Sequence, residues 1–296
     1  GWDVNKKGLY GSPEIKVIVG DEVHISLLKA LMLLGFGWER VTRVPVDDQG
    51  RMRADQLPEV DDMTIVCIQA GNVNTGAFDP AQAICEVANQ AGAWVHVDGA
   101  FGLWAMTTDN LSYLAAGYEL ADSWATDCHK WLNTPYDSGV AIVKDASHLR
   151  GAMSATASYL VSSDQREPAY HVPEFSRRAR GIDVWAALRT LGKQGVAEMI
   201  DRHCRQAQLM ASLLNDAGIT VLNDVVLNQV VVSFGTPEQT QQVIQAVQAD
   251  GTMWAGGTQW QGHTAMRISV SSWATTDDDI RQSAEALIQI TKQVIT

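Results

Sequence analysis

The sequence predicts an α/β fold: a mostly parallel sheet with helices on both faces, followed by a smaller C-terminal α+β domain. Three observations predict it. Residues 1–181 alternate short apolar runs with helical patterns, and strands joined through helices pair in parallel because each connection crosses a sheet face. From Ile182 to Leu214 runs one long amphipathic pattern, suited to a helix that bridges two domains. The rest of residues 182–296 orders its elements differently, as a second domain of about a hundred residues would.

The elements follow in chain order. Val17-Ile-Val19 is a short apolar strand, and His24 to Leu34 is helical in composition until Gly35 stops it. Val41 to Val46 reads as a second strand, closed by the turn Asp47-Asp-Gln-Gly50. Thr64-Ile-Val-Cys-Ile-Gln69 has the continuous apolar character of a strand buried on both faces. Asp79-Pro80 starts a helix, the carboxylate as N-cap and the proline at N1, and Gly92 closes it. Ala93 to Val97 and Val140-Ala-Ile-Val143 complete the first sheet, with parallel pairing expected throughout. Beyond the long helix, Val230 to Phe234 and Ala265 to Val270 are strands, and Thr236-Pro237-Glu238 caps a helix. Gly251 to Gly262 is a loop or hairpin, and Thr276-Asp-Asp-Asp279 opens the terminal helix with acid at its positive end.

Composition narrows the function. A net charge of -12 argues against nucleic acid and anionic membrane surfaces, both of which call for basic patches. No apolar run approaches the roughly 18 residues that span a bilayer. Gly1 to Lys7 lacks signal-peptide organisation. Cys67, Cys85, Cys128 and Cys204 lack C-x-x-C spacing and read as free thiols, which favours a reducing cytoplasm. Cys128, beside His129, is expected to line the site by position. The histidines lack metal-ligand spacing, so no metal site is expected.

Two stretches carry chemistry. Trp94-Val-His-Val-Asp98-Gly-Ala100-Phe reads as a buried strand ending at Asp98. Asp122-Ser-Trp-Ala-Thr-Asp-Cys-His129-Lys130-Trp131 reads as a short strand or loop that delivers His129 and Lys130. In α/β sheets, functional groups collect at the carboxyl ends of strands, so both stretches can open onto one crevice. Singly, a His-Lys pair is ordinarily a solvated loop and Val-His-Val-Asp a strand edge. Together they supply what pyridoxal 5'-phosphate chemistry needs. Lys130 offers an amine for a Schiff base, and Asp98 a carboxylate to keep the pyridine nitrogen protonated.

These motifs recur with others in order: His24-Ile-Ser26-Leu-Leu-Lys29-Ala30, Gly71-Asn-Val-Asn-Thr-Gly76-Ala-Phe-Asp79, Ser158-Tyr159-Leu160, Ser176-Arg-Arg178 leading to Trp185, and Arg267 to Thr276. The chain thereby resembles the group II pyridoxal-phosphate-dependent amino-acid decarboxylases, which have the aspartate-aminotransferase-type fold. The resemblance runs from about His24 to the C-terminal helix. It implies that Lys130 carries the cofactor, Asp98 bonds its ring nitrogen, His24 stacks on one ring face and Ala100 lies near the other. It also implies that His129 reaches the phosphate or locks the Lys130 loop, and that Tyr159, on a lid-like segment, protonates Cα after carbon dioxide leaves.

The family's Gly-Thr-Thr segment reads Gly71-Asn72-Val73 here, so Asn72 keeps a capacity to contact the cofactor and Val73 does not. Family members carry a long further segment before the stacking histidine, including the glycine-rich phosphate cradle, and residues 1–23 offer no counterpart. The expected function is decarboxylation of an L-amino acid by a homodimer with a shared active site. The alternatives are an aminotransferase or other Cα chemistry on the same fold, and an inactive fragment without the phosphate cradle. Arg267 bears on the first: an arginine that grips the substrate carboxylate in the ring plane would suppress its loss. Trp104, Trp254 and Trp260 are candidates for an aromatic pocket.

Overall fold

A computed structural model describes residues 2–154 and 166–295 of the chain. A short helix α1 (Val4–Lys7) precedes a six-stranded sheet: β1 (Lys16–Gly20), β2 (Thr42–Val44), β3 (Thr64–Gln69), β4 (Trp94–Asp98), β5 (Ser123–Asp127) and β6 (Gly139–Val143). Their spatial order is β2-β1-β3-β4-β5-β6. All neighbours pair in parallel except β5 with β6, which are antiparallel. Parallel pairing is thus corrected at the β6 edge. The link from Asp127 to Gly139 contains no helix, and without a crossover element the chain can only fold back beside the strand it has left.

Side chains alternate across this sheet. Ile18, Val66, Ile68, Val95 and Val97 point into the main core, where helix α3 (Ala81–Gln90) covers them with Ala81, Ile84, Cys85 and Ala88. On the opposite face, Val17, Val19 and Cys67 pack under Leu28 and Leu31 of helix α2 (Ile25–Leu33). The exits from β3 and β4 lie so close that a Cβ on Gly102 would fall 2.1 Å from the Ala70 carbonyl oxygen. Helix α4 (Ala146–Met153) follows β6, capped by the Asp145 carboxylate on the Ser147 N–H.

Asp79 corrects a second expectation. Pro80, not Asp79, holds the N-cap position of α3. The Asp79 carboxylate turns inward and accepts the backbone N–H of Met52 and of Gln69, each at 2.7 Å. Buried backbone N–H groups need an acceptor, and the carboxylate supplies one to each of these two in preference to the solvent-side cap. Burial pushes its pKa up to about 6, with the two N–H donors acting the other way. Its unfolded value lies near 3.8, so the folded chain holds the proton through a range where the unfolded chain releases it. Stability from this group is therefore greatest below about pH 4 and falls as pH rises to about 6. Asp79→Asn is expected to remove that slope from urea melts measured between those limits. It should also cost about 1–3 kcal/mol, because the amide can accept one N–H but opposes the other with a donor.

Helix α5 (Gly181–Asp216) is broken at Gly192, whose φ of 62° leaves the helical region. Val196, Met199, Ile200 and Cys204 pack into the main core, while Ala207, Met210, Ala211 and Leu214 pack into a second one. That second core lies beneath an antiparallel sheet, β7 (Thr220–Val221), β8 (Gln229–Ser233), β9 (Gly256–Trp260) and β10 (His263–Ser269), ordered β7-β8-β10-β9. The Gly251–Gly262 stretch thus contributes a hairpin strand. Helix α6 (Pro237–Asp250) starts with a reciprocal capping box between Thr236 and Gln239. Helix α7 (Asp277–Ile295) starts with a similar exchange between Thr276 and Asp279. Among the described residues, no helix is long and apolar enough to cross a membrane.

Candidate active site

β4 ends at Asp98 and β5 at Asp127, side by side. Asp98 stands opposite Ala125 in the parallel register. Beyond it, the Gly99 N–H donates to the Ala125 carbonyl and the Asp127 N–H to the Ala100 carbonyl, both at 2.9 Å. Adjacent strands lie about 4.8 Å apart, so the carboxylate of Asp98 and the loop that carries Lys130 share one edge of the sheet.

Asp98 is half-buried, and its Oδ1 accepts the Ala100 N–H at 3.2 Å. Among the described residues it has no cationic partner. His96, two residues earlier on the same strand face, bonds Ser123 Oγ through Nδ1 at 2.8 Å. Burial lowers the His96 pKa, with the charge of Asp98 acting against it. The neighbouring Cys67 thiol is pushed up to about 12, by burial first and by Asp98 second. Ala100 is half-buried against the main core.

Lys130 sits in the turn after β5. Its Nζ lies 2.9 Å from Oδ2 of Asp127, and both side chains are partly exposed. His129 Nε2 is 3.9 Å from the same oxygen. Its Nδ1 lies 2.7 Å from the Ser138 carbonyl oxygen, and its ring packs on Tyr136 at a centroid distance of 4.5 Å. His129 therefore ties the lysine turn to the start of β6. Asp127 was not singled out from the sequence. Its signal was a carboxylate three residues before the lysine, at the polar end of a strand, where a tight turn brings the two together.

Lys130 and His129 line a cleft of about 270 Å³ between the two sheets, with Phe101 and Tyr136 on one side and Gln229 and Arg267 on the other. Arg267 donates from Nη1 to the Val73 carbonyl at 3.1 Å, and burial lowers its pKa. The arginine thus ties the small sheet to the loop after β3. A larger cleft of about 810 Å³, around Arg51, Arg53 and Tyr113, contains none of the residues picked out for cofactor chemistry.

The other sequence-predicted residues distribute as follows. His24 is the N-cap of α2: its Nδ1 accepts the Ser26 N–H at 3.3 Å and lies 2.7 Å from Ser26 Oγ. It stands at the exit of β1, two strands from β4, or roughly 10 Å across the sheet edge. Asn72 is buried and organises its own loop. Its Oδ1 accepts the N–H of Asn74 and Thr75, and its Nδ2 donates to Glu22 at 2.9 Å. Tyr159 lies outside the described residues.

Cys128 does not line the cleft. The turn that exposes Lys130 points Cys128, two residues earlier, into the main core, and burial there pushes its thiol up to about 11. Nor do the three tryptophans line it: Trp260 bonds Glu22 at 3.1 Å, Trp254 is exposed, and Trp104 packs against the main core.

Residues 4–235 match the family profile of the pyridoxal-dependent decarboxylase conserved domain. Acidic amino acid decarboxylase GADL1 of Bos taurus is 32% identical over 214 residues, which are 68% of this chain and 41% of that protein. Aromatic-L-amino-acid decarboxylase of Bacillus atrophaeus is 28% identical over 214 residues, 68% of this chain and 45% of that protein. The chain thus spans less than half the length of these relatives. Its backbone superposes on Oryza sativa TDC with PLP and tryptamine with a TM-score of 0.89 at 22% identity, covering 99% of this chain and 65% of that one. Mouse CSAD in apo form gives 0.85 at 22% identity, over 97% and 66% of the two chains. The profile match covers most of the sequence and includes both strand ends that carry Asp98 and Lys130, and the chain belongs to the pyridoxal-dependent decarboxylase family.

Proposed function

We propose that this protein decarboxylates an L-amino acid to the amine and carbon dioxide, with pyridoxal 5'-phosphate as cofactor. The observation that carries the reading is the adjoining exits of β4 and β5, which present Asp98 and Lys130 at one edge of the sheet. The donor set fits the group. Lys130 has an amine that can take the aldehyde, and Asp98 has a half-buried carboxylate without a cationic partner among the described residues, suited to a ring N–H. When bound, pyridoxal phosphate supplies a protonated ring that takes up the electron pair left as a bond at the substrate Cα breaks.

The chain's own residues set the conditions for that chemistry. The half-burial of Asp98 strengthens its attraction for a cation beyond what water would allow. Asp127 holds the Lys130 ammonium at the mouth of the cleft, and His129 fixes the turn that carries both. His24, at the start of α2, is assigned to one face of the cofactor ring on the resemblance. Asn72 acts on the cofactor through the loop it shapes. The fixed contact of Arg267 with Val73 favours a structural use over a grip on the substrate carboxylate, which leaves that carboxylate able to depart.

Tyr159 belongs to this reading on the resemblance alone, as the acid that protonates Cα. Tyr159→Phe keeps the ring and removes the hydroxyl. It is expected to lower amine formation by roughly 10²–10⁴-fold while cofactor uptake, followed by absorbance, is unchanged.

A homodimer with a shared site is part of the same proposal. Ile182, Trp185 and Leu188 stand exposed along one side of α5, an apolar row suited to a second copy. The division at residues 181 and 182 is supported by the two sheets and two cores, and a cytoplasmic location by four buried free cysteines. The test is a panel of acidic, aromatic and basic L-amino acids and cysteine sulfinate, assayed for carbon dioxide and amine with cofactor added. At least one should release both in equal amounts; amino transfer to a 2-oxo acid without carbon dioxide would overturn the proposal.

A further inference from the structure

One buried polar pair lies directly behind the lysine turn. The indole Nε1 of Trp131 donates to Nδ1 of His203 on α5 at 2.8 Å, and both side chains are fully buried. Their rings lie nearly parallel, 14° apart with centroids 6.4 Å from each other, and Trp131 also packs against Phe101 of the cleft wall at 6.3 Å. The indole bond needs a lone pair on Nδ1, so the imidazole is neutral and carries its proton on Nε2. Burial, and then the charge of Arg202, push its pKa down to about 4, which keeps it neutral through the physiological range. The buried Nε2 has no hydrogen-bond partner among the described residues.

A core that needed only volume here would use an apolar ring, because burying an imidazole and an indole N–H is costly unless each satisfies the other. What the pair adds over packing is direction. A hydrogen bond is sensitive to angle, so it selects one rotation of Trp131 about its backbone. Trp131 is the residue after Lys130, and one rotation of the first sets where the second emerges. The neighbouring contacts hold the same turn from the small sheet's side. Asn133 Nδ2 donates to the carbonyls of Trp131 and Ser271, and Arg202 Nη2 donates to the Trp273 carbonyl at 2.6 Å.

We propose that His203 is a positioning residue that aims Lys130 into the cleft through Trp131, an inference that rests on the reading of Lys130 given above. The test is the rate at which Lys130 becomes linked to added pyridoxal phosphate, trapped with borohydride and located by peptide mapping. His203→Leu should slow that linkage by about tenfold, the scale of one lost hydrogen bond to a buried group. His203→Asn places an amide oxygen near the site of Nδ1 and should bring the rate back to near wild type. Trp131→Phe keeps an aromatic ring but removes the donor together with part of the indole's volume, and should be at least as slow as His203→Leu. The double variant should be no slower than Trp131→Phe alone, since both remove the same bond.

A purely structural role predicts otherwise: melting temperatures would fall, with no selective rescue by asparagine and no overlap in the double variant. A folded His203→Leu protein that links at the wild-type rate would overturn the inference and leave the reading of Lys130 standing. If His203→Leu does not fold, an unchanged rate in Trp131→Phe overturns it equally. A wild-type protein whose Lys130 is never linked would overturn both.

Discussion

Lys130→Ala is expected to yield a folded protein that forms no borohydride-stable link to pyridoxal phosphate and has lost turnover by at least about 10³-fold, as for other nucleophile deletions. Among the described residues lining the cleft, Lys130 is the one lysine. Its loss should barely touch stability. The pair with Asp127 is partly exposed, and such pairs contribute about 1 kcal/mol or less once solvent screening is allowed for. A melting curve close to wild type, together with a blank peptide map, is the predicted combination. A trapped link on another lysine would move the chemistry elsewhere. A large drop in melting temperature would mean that the Asp127–Lys130 pair is structural first.

Asp98→Asn is expected to have the second largest effect, a loss of turnover on the order of 10²–10³-fold with the fold intact. The carboxylate makes one hydrogen bond among the described residues, from the Ala100 N–H, and an asparagine Oδ1 can accept it equally well. What the amide cannot supply is the negative charge, and a charge-assisted bond to a ring N–H is roughly twice as strong as a neutral one. The same change removes a charge that acts on His96 and Cys67, so the His96 pKa should fall further and the Cys67 thiol should become more acidic. Proton resonances of His96 across a pH titration check the first of these shifts independently of activity. Unchanged turnover alongside a shifted His96 would remove Asp98 from the chemistry while confirming where its charge points.

The parts of the candidate site legible in sequence were those fixed by strand ends. Asp98 and Lys130 could be placed together because two apolar runs each terminate at a polar, chemistry-bearing residue, and parallel strands bring such termini to one edge. Asp127 was not legible in the same way. Its pairing with Lys130 depends on the turn between them, which a linear pattern does not display. Cys128 shows the converse, since its place beside His129 suggested the cleft while the turn sends it into the core.

The reversal of β6 escaped for a related reason: an apolar run such as Val140–Val143 reads identically in either direction. The informative signal was the lack of a crossover helix between Asp127 and Gly139. Asp79 met a competitor that the sequence conceals: the buried N–H groups of Met52 and Gln69, which are remote in sequence. His203 lies 72 positions from Trp131, and helical spacing alone offered no reason to connect them.

The measurement that bears most directly on the central claim is the fate of the hydrogens at Cα when the cofactor-supplied protein turns over an amino acid in deuterated water. Loss of the carboxylate replaces one carbon–carbon bond with one carbon–hydrogen bond. The amine product should therefore keep its original Cα hydrogen, gain a single deuterium and appear in equal amount with carbon dioxide. An amino acid that instead loses its Cα hydrogen to solvent and retains its carboxylate, whether recovered as such or as the 2-oxo acid, would contradict the account.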